Sequence, residues 1–148
     1  MRRRDACGIA WVWVFLVVLP LFFTRCSSPL SPDAFVTVYY SEFERQPHYS
    51  GNVELAVGGT LTVVLPSAPA STGFDWSTPA QISDVSVLSL VDHRYIPPSG
   101  GGTGAAGQER WTFSALKKGN CTVYLEYSQP WNGGVKAAWT FQLAVAVR

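Results

Sequence analysis

The sequence of 148 residues has few charged residues and no excess of either sign. Only 14% of the residues are charged and the formal net charge is +1, so the chain lacks the basic surface that nucleic-acid binding requires. The hydrophobic share of 47% and the aromatic share of 14% are those of a packed chain rather than a disordered one. We therefore expect a globular domain, monomeric by itself, that does not bind nucleic acid.

Residues that catalyse reactions or bind metals are also scarce. His48 and His93 stand far from each other and from Cys121, without the spacing of a metal site. Neither histidine lies in a nucleophile motif, and Asp92 and His93 are strand neighbours whose side chains would point to opposite faces. A carboxylate pair for glycoside hydrolysis stays open as an alternative, although acidic residues are few. We expect no enzyme activity, no metal site and no cofactor.

Residues 1–26 have the composition of an export segment. Arginines at positions 2–4 precede an apolar run at 9–23 that is short for a transmembrane helix. Small residues stand where a signal peptidase needs them before Ser27, which favours cleavage there. Lipidation of Cys26 and retention of the segment as a signal anchor are the alternatives. All three predict an exported domain that is secreted, periplasmic or tethered to a membrane on its outer side, with membrane contact only through this segment.

The rest of the chain predicts a linker at residues 27–33 and one domain at 34–148. In the domain, apolar residues alternate with polar ones, and glycine-rich and proline-rich turns separate the alternating runs. The pattern predicts about seven strands and an all-β, immunoglobulin-like antiparallel β-sandwich. Cys121 lies in phase with apolar neighbours on its strand and is predicted to be a buried structural thiol. The predicted strands are 35–40, 53–57, 60–65, 85–91, 110–116, 121–127 and 137–147.

Trp131 stands in a predicted turn, where a large apolar side chain has little core to fill. Pro130 restricts the backbone before it, and Gly133 and Gly134 follow it to close a hairpin. A tryptophan held in this way is typical of the anchor residues that dominate protein interfaces. We therefore expect Trp131 to contact a partner.

Three turn segments share a pattern with a known family. Residues 68–76 read Ala-Pro-Ala-Ser-Thr-Gly-Phe-Asp-Trp, residues 104–107 read Gly-Ala-Ala-Gly, and residues 129–131 read Gln-Pro-Trp. In this order they resemble the Asn-Pro-Thr-Thr-Gly-Tyr/Phe-x-Trp, Gly-x-Gly-Gly and Arg-Pro-Trp/Phe loops of the chagasin-like inhibitors of papain-family cysteine peptidases. The resemblance spans most of residues 55–147.

The resemblance implies that three loops at one end of the sandwich enter the peptidase cleft reversibly and without a covalent bond. Thr72 and Gly73 would occupy the catalytic centre, Trp131 would stack on an aromatic surface of the peptidase, and Gln129 would contact polar groups nearby. The glycine segment would cover the other side of the cleft, and Phe74 and Trp76 would brace the first segment. The implied peptidase-binding residues are Pro69, Ser71, Thr72, Gly73, Phe74, Gly104, Ala105, Ala106, Gly107, Gln129, Pro130 and Trp131.

The chain departs from the family pattern in each segment. The first segment is one residue longer, and Ala68 replaces an asparagine that stiffens the loop. Ala106 replaces a glycine, which predicts strain at a positive-φ position. Gln129 replaces an arginine and so removes a charge and its paired donors. We expect these changes to alter potency and target range. An adhesion or ligand-binding module, or an envelope domain that has lost inhibition, is the alternative.

Overall fold

The computed structural model describes residues 32–100 and 105–148. The predicted export segment, residues 27–31 of the predicted linker and Gly104 lie outside the described residues. Asp33, the last residue assigned to the linker, already begins the first strand. The elements are β1 (Asp33–Thr37), α1 (Tyr40–Arg45), β2 (His48–Leu55), β3 (Thr60–Ser67), α2 (Pro69–Thr72), β4 (Asp75–Trp76), β5 (Gln81–Ile82), β6 (Leu88–Ile96), β7 (Gly107–Ala115), β8 (Gly119–Ser128) and β9 (Trp139–Val147).

The strands form two sheets, and the predicted sandwich is confirmed. One sheet has the order β1-β3-β7-β6, and the other has the order β2-β9-β8-β4, with β5 also paired to β8. β1 joins β3 in parallel and β2 joins β9 in parallel, while the remaining ladders are antiparallel. The seven strands of five residues or more correspond in order to the seven predicted ones.

The predicted strand at 85–91 is displaced in the structure, because β6 spans Leu88–Ile96. A register shift between Leu90 and Asp92 moves the alternation by one residue, so that His93 takes the inward position opposite Trp111. β6 is an edge strand, and charged residues are common on edges because they discourage pairing with other chains. The charged residues after position 91 therefore belong to the strand and do not end it.

Helix α1 was not predicted, because six residues are too few to show a helical period. The Glu42 carboxylate accepts the backbone N–H of Tyr39 at 2.8 Å and so stabilises the start of the helix. Phe43 is fully buried, and the helix carries the chain from the first sheet to the second. In residues 32–100 and 105–148, no helix has the length and apolar character needed to cross a membrane.

The core lies between the two sheets and is built from their inward-facing side chains. Leu61, Val63 and Leu65 of β3 are fully buried, because alternate residues of a strand lie on the same face. In β9 the alternate residues Phe141, Leu143, Val145 and Val147 are likewise buried, and Trp139 at the start of this stripe is partly buried against the core. Fully buried aromatic rings of α1 and β7 fill the remaining space, namely Phe43, Trp111 and Phe113.

Cys121 of β8 has 5% of its surface exposed and is a free thiol, as predicted. Burial raises the pKa of the Cys121 thiol, and the nearby negative charge of Asp84 raises it further. Because the thiolate is the reactive form, both effects suppress reaction with electrophiles at neutral pH.

We expect the protein from Ser27 onward, whose only cysteine is Cys121, to react slowly with an aromatic disulfide reagent while it is folded. Reaction in urea should be faster by orders of magnitude, because unfolding exposes the thiol and lowers its pKa. The release of the coloured thiolate measures both rates. Equal rates in the two conditions would show that Cys121 is not buried.

Candidate functional site

Three loops lie at the same pole of the sandwich because of the strand registers. β3 ends where β7 begins, with Ser67 opposite Gly107, and β6 ends at the same level. In the other sheet, Asp75 at the start of β4 lies opposite Ser128 at the end of β8. The connections made there are named the first loop (68–74), the second loop (97–106) and the third loop (129–138). They contain every residue of the predicted site except Gly107.

The first loop is a single helical turn, α2, closed by a glycine. Pro69 begins the turn, and the Gly73 N–H donates to the Pro69 carbonyl at 2.8 Å. Gly73 has a φ of 71°, a left-handed conformation that favours glycine at the end of a helix.

Hydroxyl groups stiffen the first loop in place of the absent asparagine. The Thr72 hydroxyl donates to the Ala68 carbonyl at 2.7 Å and accepts the Phe74 N–H at 3.2 Å. The Tyr127 hydroxyl accepts the Ala68 N–H at 3.2 Å and lies 3.4 Å from the Thr72 hydroxyl. The Thr72 side chain, which the resemblance assigns to the catalytic centre, thus already has hydrogen-bond partners within its own loop.

Phe74 and Trp76 support this loop from below, as the resemblance implies. The Trp76 indole N–H donates to the Pro66 carbonyl at 2.9 Å, and the side chain is buried. The Phe74 ring stacks on the Tyr127 ring with centroids 5.5 Å apart. The backbone from α2 to β4 is therefore fixed by both hydrogen bonds and ring contacts.

Trp131 of the third loop is half exposed and lies over Gly73 of the first loop. A methyl group placed on Gly73 would lie 2.7 Å from the Cη2 atom of the Trp131 ring, a distance that no ordinary packing permits. Glycine therefore allows the ring to approach the backbone of the first loop. The two loops form one continuous surface.

The third loop is closed by hydrogen bonds to both ends of Gln129. Its backbone N–H donates to the Val135 carbonyl at 2.8 Å, and its side-chain oxygen accepts the Val135 N–H at 3.0 Å. The Lys136 ammonium group donates to the carbonyls of Gln129 and Trp131. Gln129, expected to contact polar groups of a peptidase, thus braces the hairpin, and Lys136 supplies a positive charge at its base.

Lys136 was missed by the sequence analysis. Its contact with the third loop depends on the hairpin reversal at Gly133 and Gly134, which brings a residue five positions after Trp131 back beside it. The glycine pair was visible in the sequence, but the conformation that it adopts was not.

The second loop is described only at its ends. Ala105 and Ala106 are exposed, and Ala106 does not have the positive φ that was expected to strain it. Among the described residues, Ala137 alone combines a positive φ with a side chain. Gly107 is buried as the first residue of β7, where a methyl group would lie 2.6 Å from the Ile96 carbonyl oxygen. Its role is close packing of the strands beneath the loop.

A mainly apolar pocket of about 240 Å³ opens between the first loop, the end of the second loop and the start of β9. Its walls include the residues Thr72, Phe74, Ala106, Tyr127, Ala138 and Trp139. Its lining also includes Tyr40 and Ser67, and the hydroxyls of Ser67, Thr72 and Tyr127 already have hydrogen-bond partners. The pocket therefore offers shape and apolar contact but no reactive group.

Beneath the first and second loops lies a buried carboxylate that sequence reasoning did not single out. Glu109 is 5% exposed and accepts hydrogen bonds from the Ser67 hydroxyl at 2.7 Å and from His93 Nε2 at 2.7 Å. Asp92, the sequence neighbour of His93, instead pairs with Arg94 at 3.6 Å, so the two neighbours do point to different partners. Within the described part of the chain, no three His, Cys, Asp or Glu side chains are grouped as metal ligands.

The sequence model described as chagasin family peptidase inhibitor I42 matches residues 54–145 of this chain. Among solved structures, the cysteine protease inhibitor EhICP2 from Entamoeba histolytica superposes with a TM-score of 0.60 at 22% identity, covering 78% of this chain and 97% of its own. PbICP-C, solved in complex with falcipain-2, has a TM-score of 0.58 at 16% identity, covering 76% and 99%. Amebosin has a TM-score of 0.51 at 18% identity, covering 78% and 99%. No curated protein sequence gives a significant match.

We expect Gly73→Ala to lower the free energy of unfolding more than Gly58→Ala does. Both glycines have a positive φ, of 71° and 82°, so each substitution strains the backbone by about 1 kcal/mol. Only at Gly73 does the new methyl group also meet the Trp131 ring, because nothing lies within 4 Å at Gly58. Urea unfolding measures the two losses. Equal losses would mean that the Trp131 ring does not rest on the first loop.

Proposed function

The chain belongs to the chagasin family of peptidase inhibitors, and we propose that it inhibits papain-like cysteine peptidases reversibly by inserting its three loops into their active-site cleft. Members of the family are inhibitors and not enzymes. The contact of Trp131 with Gly73 carries the proposal, because it joins the first and third loops into one projecting surface. The structural relatives described as a cysteine protease inhibitor and as a complex with falcipain-2 support the choice of peptidase class.

The first loop is suited to occupy a catalytic centre without being cut. A papain-like peptidase attacks a carbonyl carbon with a thiolate paired to an imidazolium, and the carbonyl must be oriented correctly for attack. In the helical turn, the carbonyls of Ala68 and Pro69 already accept hydrogen bonds from residues of the same loop. These hydrogen bonds fix the backbone as a helical turn, so the first loop fills space at the catalytic centre without presenting a carbonyl in the orientation that attack requires.

Gly73 and Trp131 have complementary roles in this arrangement. Gly73 lets the inhibitor backbone approach the catalytic pair closely, and the half-exposed Trp131 ring beside it offers a flat surface to an aromatic group of the peptidase. Gln129 and Lys136 hold the hairpin that presents the ring. The arginine replaced by Gln129 is thus partly compensated, since Lys136 carries a positive charge at the base of the same hairpin.

Reversible inhibition is the form of the proposal that the described residues support, because the described residues of the three loops include no cysteine. Cys121, the free cysteine of the described residues, is buried between the sheets and its pKa is raised by burial. A mixed disulfide with the peptidase thiol is therefore disfavoured. Binding depends on shape, hydrogen bonds and apolar contact, and it needs no cofactor.

The proposal includes export of the domain. β1 begins at Asp33 opposite Thr60, the first residue of β3, whereas the first loop follows the last residue of β3. The N-terminal side of the domain therefore lies at the pole opposite the three loops. A secreted, periplasmic or tethered form would present the loops equally well to a peptidase outside the cell.

We expect the protein from Ser27 onward to inhibit papain or a cathepsin L-like peptidase, and Trp131→Ala to weaken inhibition at least about tenfold, the loss typical of an interface anchor. Leu116→Ala is the matched control, since Leu116 and Trp131 are 51% and 50% exposed but lie at opposite poles. Titration of active peptidase at several inhibitor concentrations gives the inhibition constants.

Failure of the unaltered protein to inhibit any of several papain-like enzymes at stoichiometric concentrations would refute the proposal. Capture of a partner that is not a peptidase, with loss of binding in Trp131→Ala, would instead favour the adhesion module.

A further inference from the structure

The outer face of the β1-β3-β7-β6 sheet carries a groove of about 500 Å³. Side chains from all four strands line it, together with Tyr39 from the segment between β1 and α1. The described lining residues include two arginines and no Asp or Glu. The groove lies on the side of the sandwich, whereas the three loops lie at its pole, so it is separate from the surface that Trp131 and Gly73 form.

Arg110 lies in the middle of this groove without a charge partner. In the sheet it stands between Val64 of β3 and Arg94 of β6. Its Nε atom is buried and has no hydrogen-bond partner among the described residues, and none of their carboxylates forms a salt bridge with it. Asp92 lies nearby but pairs with Arg94 at 3.6 Å. An unpaired buried donor is costly, and a second guanidinium directly opposite adds repulsion.

The rest of the chain has almost no anion to offer Arg110. Residues 1–31 and 101–104, which lie outside the described part, contain one acidic residue, Asp5 in the predicted export segment. From Ser27 onward, these segments contain none. The anion that would pair with Arg110 therefore has to come from another molecule.

The β1 side of the groove is apolar and exposed. Phe35 is 77% exposed and Tyr39 is 62% exposed. Exposed aromatic rings beside arginines are typical of protein interfaces, in which both residue types are enriched. Hydroxyl groups that can donate to or accept from a peptide backbone also line the groove, namely those of Thr37, Thr62 and Thr112.

The strand registers give the spacing between the apolar and the charged part of the groove. Phe35 lies opposite Thr62 and Arg110 lies opposite Val64, so Phe35 and Arg110 are separated by two strand spacings and by two residues along the strands. With strands about 4.8 Å apart and about 3.3 Å per residue, the two backbone positions are about 12 Å apart. An extended peptide covers this distance in about three to four residues.

We propose that this groove binds an acidic peptide segment of another protein, with Arg110 and Arg94 holding a carboxylate and Phe35 covering an apolar side chain. A guanidinium group binds a carboxylate through two parallel hydrogen bonds, which an ammonium group does not match. The bound carboxylate supplies the charge partner that Arg110 lacks. This second binding surface goes beyond the proposed inhibitory function and does not depend on it.

The first test selects binders from a random library of short linear peptides, using the protein from Ser27 onward tethered at its C-terminus. Peptides that also bind Arg110→Gln are removed, because they bind elsewhere. We expect the remaining peptides to share an Asp or Glu about three to four positions from an aromatic or aliphatic residue, as the strand spacing requires. Recovery of no peptides with this pattern would overturn the proposal.

The second test measures dissociation constants for a dye-labelled selected peptide by fluorescence anisotropy. Arg110→Gln should weaken binding at least about tenfold, and Arg110→Lys should weaken it too because it loses the paired donors. Phe35→Ser should weaken binding through the apolar half. Arg148→Gln is the matched charge control, since the Arg148 side chain is 50% exposed and lies at the pole opposite the three loops. Equal constants for Arg110→Gln and Arg148→Gln would contradict a carboxylate site at Arg110.

Urea unfolding separates a binding role of Arg110 from a structural one. Arg110→Gln removes no hydrogen bond or salt bridge within residues 32–100 and 105–148 and relieves repulsion with Arg94, so its unfolding midpoint should be equal or higher. A clear loss of stability would show that Arg110 is structural. Tighter binding of a heparin oligosaccharide than of any selected peptide, lost in Arg110→Gln, would make the groove a sugar site and refute the peptide. All measurements omit the peptidase, so failure of the proposed inhibition would not alter them.

Discussion

Tyr127 connects the core of the sandwich to the candidate site. Its ring contacts Phe74, Trp76 and Trp139, with centroids 4.9 to 5.5 Å apart, and 4% of its surface is exposed. Ring pairs of this kind contribute about 0.5–1.5 kcal/mol each beyond burial. Its hydroxyl reaches the pole and accepts the Ala68 N–H. The position of the first loop is therefore set by the same residue that closes the aromatic end of the core.

These contacts of Tyr127 explain how the short first loop holds one conformation without an extended hydrogen-bond network of its own. The Ala68 carbonyl accepts the backbone and hydroxyl hydrogens of both Ser71 and Thr72, and the Ala68 N–H is fixed from outside by Tyr127. Few residues of the loop then have rotational freedom to lose on binding, which favours affinity. Rigidity is obtained from the sheet beneath the loop rather than from the asparagine usual in the family.

Much of the fold could be predicted because the strands alternate strictly. The inward residues of β3 and β9 and the buried Cys121 follow from a period of two, which depends only on local geometry. The extension of β6 to Ile96 could not be predicted, because a bulge interrupts the alternation at Leu90. Helix α1 escaped prediction because six residues do not show a period.

The candidate site also contains residues that could be predicted from the sequence and residues that could not. Turn residues such as Gly73 could be predicted, because few residue types other than glycine adopt the positive φ that the turn requires. The roles of Gln129, Lys136 and Glu109 depend on partners from other strands or across a hairpin, and sequence spacing does not encode such contacts. The sequence therefore predicted the three loops of the candidate site, but not the side chains that hold them in place.

The strand registers also place both ends of the described domain together. β9 ends at Val147 opposite Gly119, the first residue of β8, at the same pole where β1 begins and away from the three loops. A fusion partner joined through a linker at either end would therefore leave the loops accessible. The sandwich keeps both of its ends away from the three loops, so that copies joined in tandem would each leave their loops exposed.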